Sequence, residues 1–531
     1  MLHGYVTLII LAGGLLSIPI TLWLIRRYRN RVIRLMSKSR GRAPTAPPAG
    51  ATHAVPFRLN VIEPGRSSPQ PATFAVRQYR RVMASYVIGL LVFAIGAAIC
   101  LIRSGGQTLS IGRVGIVGLI YLAPLLLVLP LLVGLSRAKW LISFALLLAA
   151  YLALGVLLSD GNTILTLLVF FGGQIVVPTV LVGVLLHPRL RAGGILVLVL
   201  TTLGIAGAFG LPAPLQDEDI TRVVIYFFFD QGVRDANIIF LIINLLGLLL
   251  GFTVAWWLLQ RIKRRYLSKA ASDRSLLVDG IVLYFAIWLG LLASAQDLQW
   301  LLWALACFVA YKLVLTFLLR QWVYASSLKH PPKSLLLLRV FALQGRSDTL
   351  FRRLSRYWRL QGPVHLIAGP DIVQSTIEPH EFMDFLSGKL SRQFLPDEQS
   401  VGQRIQSLDI EPNRDGYYSV NDLFCHDNTW RLALEQLAHH SDQILMDLRS
   451  FSEHRKGCIH EINALFKLVP VEQFRFVVDP TTDLPFLKAV IADACQQIPV
   501  GSPNDRVGDT LQVRAHWLEG ERYKVLPLLA G

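Results

Sequence analysis

The chain has 531 residues, 53% of them hydrophobic, and a formal net charge of +17. An ordinary soluble enzyme has an apolar share nearer to about 45–50%, so the composition argues against one and points to lipid. The charge does not indicate nucleic acid: Met1 to Arg320 carry 29 Lys and Arg against 10 Asp and Glu, while the remainder carries 23 against 25. The basicity therefore belongs to the apolar part of the chain, and no nucleic-acid partner is expected.

Crossing a hydrocarbon layer of about 30 Å at ~1.5 Å per residue takes about 20 apolar residues. Nine runs approach that length: Tyr5 to Ile25, Ala84 to Ile102, Gly115 to Leu135, Trp140 to Leu158, Ile164 to Leu186, Gly194 to Leu211, Ile238 to Leu259, Leu276 to Ala295 and Trp300 to Leu319. The first has its positive charges after the apolar core rather than before it, so it reads as a retained anchor and not as a cleaved signal peptide. Alternating the loops from an outside amino terminus places 24 Lys and Arg on one side and four on the other. Positive charge resists translocation, so this asymmetry predicts a multi-pass protein of the bacterial inner membrane with its carboxyl-terminal part in the cytoplasm.

Between the first two runs, Gly41 to Pro71 is rich in Pro, Ala, Gly and Ser. It reads as a flexible cytoplasmic linker that lets the first helix pack apart from the other eight. After the sixth run, Val223 to Phe229 is aromatic-rich but too short to span, and reads as an interfacial helix. Lys312 in the ninth run and Asp279 in the eighth fall at matching depth in antiparallel spans, so an intramembrane ion pair is expected. Gly172, Gly173, Gln174 and Pro178 in the fifth run, with Pro124 and Pro130 in the third, read as packing or kink positions. A transporter or channel with a cytoplasmic regulatory domain stays an alternative on these features.

From Ser334 onward short apolar runs alternate with amphipathic segments, the pattern of a parallel sheet covered by helices. The predicted strands are Leu335 to Leu343, Val364 to Ala368, Gln443 to Leu448 and Phe474 to Asp479. The predicted helices are Asp348 to Leu360, Pro379 to Phe394, Thr429 to His440, Gly457 to Leu468 and Pro485 to Gln497. Asn413 to Gly416 reads as a hairpin turn leading through Tyr417 and Tyr418 into a strand. In open α/β sheets ligands sit at the carboxyl ends of strands, here Gln344 to Asp348, Gly369 to Asp371 and Asp447 to Ser450. Neither a GxxxxGK[ST] nor a GxGxxG pattern is present, which disfavours an ordinary nucleotide hydrolase or a dinucleotide dehydrogenase. Cys100, Cys307, Cys425, Cys458 and Cys495 show no metal-ligand spacing, so neither a disulfide nor a metal is assigned. His439 and His440 read as a solvated helix end, and Glu378 to Glu381 as a helix start.

The run Thr429 to Leu448, followed by Gly457-Cys458-Ile459-His460-Glu461-Ile462 and Phe474 to Asp479, resembles the later half of a TIR domain. There a helix leads through a Ser-Asp step into a buried strand, then to a helix carrying a Trp/Cys-x-x-Glu motif. Arg339-Val340-Phe341, running into a polar loop and an amphipathic helix, is similar to the family's beginning. The stretch Ile377 to Asp415 stands where the family has a shorter connection. The resemblance implies that Glu461 matches the glutamate with which NAD-cleaving members stabilise an oxocarbenium-like transition state, with NAD as substrate and Arg346 and Ser347 bordering the nucleotide. Another reading is open for Glu461: in the first turn of its predicted helix an acid stabilises the macrodipole without any chemistry.

The expected architecture is a bundle of about nine transmembrane helices with a C-terminal TIR-like or flavodoxin-like α/β domain. Its parts are an anchor over 1–37, a linker over 38–80, an eight-helix membrane domain over 81–325 and the α/β domain over 334–531. The expected function is membrane-anchored signalling or interaction, in which the domain binds a protein partner, a nucleotide or a second copy of itself; NAD cleavage is the enzymatic alternative.

Overall fold

The computed structural model describes residues 2–37, 52–63, 73–133, 137–158, 193–212, 217–270, 272–293, 299–339, 346–368, 379–506 and 509–518, with the single positions 176, 179, 215 and 297. The run 164–186 and the glycines and proline noted within it lie outside these, apart from positions 176 and 179. The chain divides into two compact units, Met1–Arg26 with Met83–Leu318 and Glu378–Met383, and Arg27–Val82 with Leu319–Ile377 and Asp384–Gly531.

Among the described residues, six helical stretches are long and apolar enough to cross a membrane: Leu8–Met36, Phe74–Ser104, Ile111–Val128, Ala236–Leu267, Arg274–Ala293 and Gln299–Ser327. Of the other expected runs, the fourth forms the helix Arg137–Leu158 and the sixth the helix Gly194–Gly210. Inside the first unit the backbones approach closely through small residues, since lipid gives helices no hydrophobic reason to associate and contact must come from packing. A Cβ placed on Gly207 would lie 2.1 Å from the Gly247 carbonyl oxygen, and one on Gly251 2.2 Å from that of Leu203. Gly247, Gly251 and Ala255, four residues apart, therefore form the buried stripe of the Ala236–Leu267 helix.

The first helix does not stand apart, as the linker had suggested. Thr201 Oγ1 donates to the Gly13 carbonyl at 2.9 Å, and a Cβ on Gly13 would meet Thr202 Oγ1 at 2.5 Å. The aromatic-rich segment Val223 to Phe229 lies within a helix, Glu218–Asp230, whose amino end is capped by Asp217 accepting from the Asp219 and Ile220 amides. Phe382, from the Pro379–Leu386 helix, is fully buried and packs where a Cβ on Gly193 would sit.

The second unit is built on an eight-stranded parallel sheet: β2 (Phe57–Ile62), β3 (Leu335–Arg339), β4 (Val364–Ile367), β5 (Phe394–Leu395), β6 (Val420–Cys425), β7 (Gln443–Asp447), β8 (Phe474–Val478) and β10 (Leu511–Trp517). Their order is β2-β10-β8-β7-β3-β4-β6-β5. A small antiparallel pair, β1 (Thr52–His53) with β9 (Ile498–Pro499), lies apart from it. The central strands are mostly apolar because both faces are covered, although His365, Asn421, Asp422 and Arg475 are buried within them. Leu336 and Leu338 join the core formed with the helices Glu398–Gln406, Trp430–His439, Lys456–Leu468 and Leu484–Gln496. Leu335 and Leu337 pack with Leu350, Leu354 and Trp358 of the helix Arg346–Trp358.

The segment read as a flexible linker is corrected here. Phe57–Ile62 pairs in parallel with β10 over six residues, from Leu511 opposite Phe57 to His516 opposite Ile62. Phe57 and Leu59 turn to the core, while Asn60 Nδ2 donates to Gln512 Oε1 at 2.8 Å on the other face. The sheet thus extends beyond the boundary drawn at residue 334. The end of the first helix docks on the same unit, where Asp427 N donates to the Met36 carbonyl at 3.1 Å and Tyr28 meets Phe385 edge-on at 5.3 Å.

Candidate functional site

In chain order the path runs from β3 outward to β4, and later returns to the opposite flank of β3 with β7. The carboxyl ends of β3 and β7 are therefore the point where the sheet changes direction, the place where open α/β folds hold ligands. Those ends are Arg339 and Asp447, directly opposite one another in register.

Both are buried, as is Arg449 two residues on. Arg449 grips Asp447 with two parallel bonds, Nε to Oδ1 and Nη2 to Oδ2, each 2.7 Å. A planar guanidinium suits this fork, and it satisfies a carboxylate that the interior would otherwise penalise. Ser450 follows with a φ of 58°, the left-handed region that residues other than glycine seldom occupy. It is held there by Thr481, whose Oγ1 accepts from the Ser450 amide at 3.1 Å. Thr482 Oγ1 donates to the Leu448 carbonyl at 3.1 Å, tying the end of β8 to that of β7.

Glu461 comes from the helix Lys456–Leu468, which follows β7 and Arg449 in the chain. That helix has no acid in its first turn. Glu461 lies in the second turn and is 2% exposed, so stabilising the helix dipole does not account for it. Burial pushes its carboxyl up to about 8, against a smaller downward pull from Arg339. Its Oε2 has no hydrogen-bond partner. A buried carboxyl lacking full hydrogen bonding is stable chiefly when protonated, so near neutral pH Glu461 is held mostly as the acid. One turn earlier, the Cys458 thiol is pushed up by burial and, secondarily, by Glu461, which keeps it an unreactive thiol.

The sequence-derived candidates are thus brought together only in part. Glu461 and Arg339 interact at the switch point. Arg346 and Ser347 open the helix Arg346–Trp358, but their side chains, and the Gly369 to Asp371 strand end, fall outside the described residues. In the first unit Lys312 Nζ donates to Asp279 Oδ2, and Tyr311 OH donates to Asp279 Oδ1 at 3.1 Å. His439 and His440 are exposed at their helix end, and the His440 ring faces the Gln436 carbonyl at 2.8 Å. The five cysteines are unpaired, and among the described residues no group of three acidic, His or Cys side chains is placed to hold a metal.

Sequence reasoning missed the role of Arg339. An arginine closing a strand of four leucines was the available signal, because a charge at such a position needs a buried partner. Neither a protein-family model nor a curated protein nor a solved structure matches the chain.

Proposed function

We propose that the chain is a membrane-anchored signalling or interaction protein, with about nine spans, an outside amino terminus and a cytoplasmic TIR-like domain that binds a partner or nucleotide. The observation that carries this reading is the strand order β4-β3-β7-β8-β10 with Glu461 on the helix after β7. That order is the flavodoxin-like one, 2-1-3-4-5, extended by β6 and β5 at one edge and by β2 at the other. A bacterial inner membrane is the location that the loop charges favour.

NAD cleavage is the second reading, and the position of Glu461 beside Arg339 favours it. An ionised carboxylate at that point stabilises developing positive charge on a ribose. In the closed arrangement, however, the group is buried and mostly protonated, which supports a binding or signalling role for the resting protein. Catalysis requires the switch point to open.

The test uses the full chain, because β2 is part of the sheet. Incubated with NAD in lipid nanodiscs, the resting protein should release no nicotinamide above a blank. Release that disappears in Glu461→Gln would overturn the non-catalytic reading and establish the enzyme. Release that survives Glu461→Gln would reject this site altogether.

A further inference from the structure

A cavity of about 380 Å³ in the second unit is lined by Arg81, Gln321, Trp322, Ala325, Ser326 and Lys329. It has no part in the switch-point site. One wall is the basic beginning of the helix Thr73–Ser104, and the other is the π-helical turn Leu319–Tyr324 with the residues after it. A π-turn widens the backbone spiral and frees carbonyl groups, and such turns are frequent at functional sites. Here Arg81 Nη1 donates to the Trp322 carbonyl at 3.1 Å, and Gln78 Nε2 approaches that of Val323 at 3.5 Å. The arginine charge is thereby fixed by main chain rather than left to sample solvent.

The lining chemistry has one character. Guanidinium, ammonium, amide and hydroxyl groups can all donate, and none of the six residues is an acid. Trp322, at 40% exposed, supplies an amphipathic ring. Both helices that build the cavity belong to stretches long and apolar enough to cross a membrane. The cavity falls where their apolar character ends, among Arg77, Arg80, Arg81 and Arg320. Tryptophan and basic side chains concentrate at that depth, level with lipid headgroups, and basic pockets there suit anionic lipids. The volume lies in the range of small-ligand sites.

We propose that this cavity binds the phosphate of an anionic phospholipid from the adjoining leaflet. Arg81 and Lys329 neutralise the phosphate, Gln321 and Ser326 donate to its oxygens, and the Trp322 ring lies along the glycerol backbone. The chemistry recognised is a phosphate-bearing anion, and the lipid rather than a soluble phosphate is its source.

Native mass spectrometry of the full chain, titrated with phosphatidylglycerol or phosphatidylcholine, tests it. Phosphatidylglycerol should bind at least fivefold more tightly, and Arg81→Gln with Lys329→Gln should weaken it about tenfold. Because Arg81 also holds the π-turn, Lys329→Gln alone serves as the variant that leaves the fold intact, with a loss of about threefold. Arg265→Gln, a charge removed outside the cavity, should change nothing. Equal binding of both lipids, equal binding by the Lys329→Gln protein, or an equal loss in Arg265→Gln overturns the proposal. Displacement of the lipid by millimolar inorganic phosphate overturns its assignment to a lipid and gives the site to a soluble anion.

Discussion

The two units arrange large and small residues in opposite ways. On the helix Ala236–Leu267 the glycines and Ala255 are buried, while Leu249 is 64% and Trp257 56% exposed. In the sheet the large residues are inside: Leu336, Phe474 and Phe476 are fully buried. Leucines on that helix thus face outward where leucines of the sheet face inward, although Ile239, Ile243 and Leu259 join its buried side. Hydrophobic burial explains the second pattern, since water drives apolar area out of contact. It cannot explain the first, where outward leucines are stable only if the surroundings are themselves apolar, and where close backbone approach does the joining.

This contrast is broken most severely by filling a glycine contact. Gly251→Leu must push the Leu203 backbone away and should cost roughly 4 kcal/mol or more, read as loss of folded full-length chain on size exclusion. By contrast, Gly402→Ala, at a half-buried helical position with nothing near its Cβ, should stabilise by about 0.5–1 kcal/mol. The next effect separates the two environments directly. Leu336→Ala leaves a cavity in the sheet core and should lower stability by about 3 kcal/mol, whereas Leu249→Ala should stay within about 0.5 kcal/mol. Comparable losses at the two leucines in thermal melts would end the claim that lipid surrounds Leu249.

A third effect depends on pH. Burial holds the folded Glu461 carboxyl at about 8, above its ordinary value of 4.5, so the folded chain keeps a proton that the unfolded chain releases. Its contribution is full below pH 4.5 and is lost as pH rises toward 8. Glu461→Gln should flatten this decline, the variant becoming the more stable by on the order of 2–3 kcal/mol at pH 8. Melts at pH 5 and pH 8 in both proteins measure it; parallel declines would place the titration elsewhere. A fourth effect is that of the membrane pair. Lys312→Leu should cost about 1–2 kcal/mol by leaving Asp279 with Tyr311 alone, and exchanging the two charges should recover most of it. Recovered stability together with lost ion flux would favour the transporter reading over a structural pair.

The central strands were legible because four of them are short runs dominated by apolar residues, interrupted only by His365 in β4 and Arg475 in β8, the mark of a layer covered on both sides. β2 and β10 were not. Each alternates, as in Leu511-Gln512-Val513-Arg514-Ala515, with one face on the core and one toward solvent, and β2 is framed by the Pro and Gly of an apparent linker. Local composition outweighed a weak period of two there, and the pairing of Asn60 with Gln512, 452 positions apart, leaves no local trace. The site divides in the same way. Glu461 stood out through the residues around it, but its partnership with Arg339 depends on which strands become neighbours, and strand order is not written in any single stretch. On the membrane side the fourth and sixth apolar runs were legible, as the helices Arg137–Leu158 and Gly194–Gly210.

The pairing of β2 with β10 has a consequence for biosynthesis. At a translation speed of about 5–20 residues per second, the early strand leaves the ribosome on the order of tens of seconds before its sole neighbour in the sheet. Throughout that interval its amides and carbonyls have no native counterpart, and a nascent polypeptide stopped before residue 511 leaves both β2 and the flank of β8 without their partner strand.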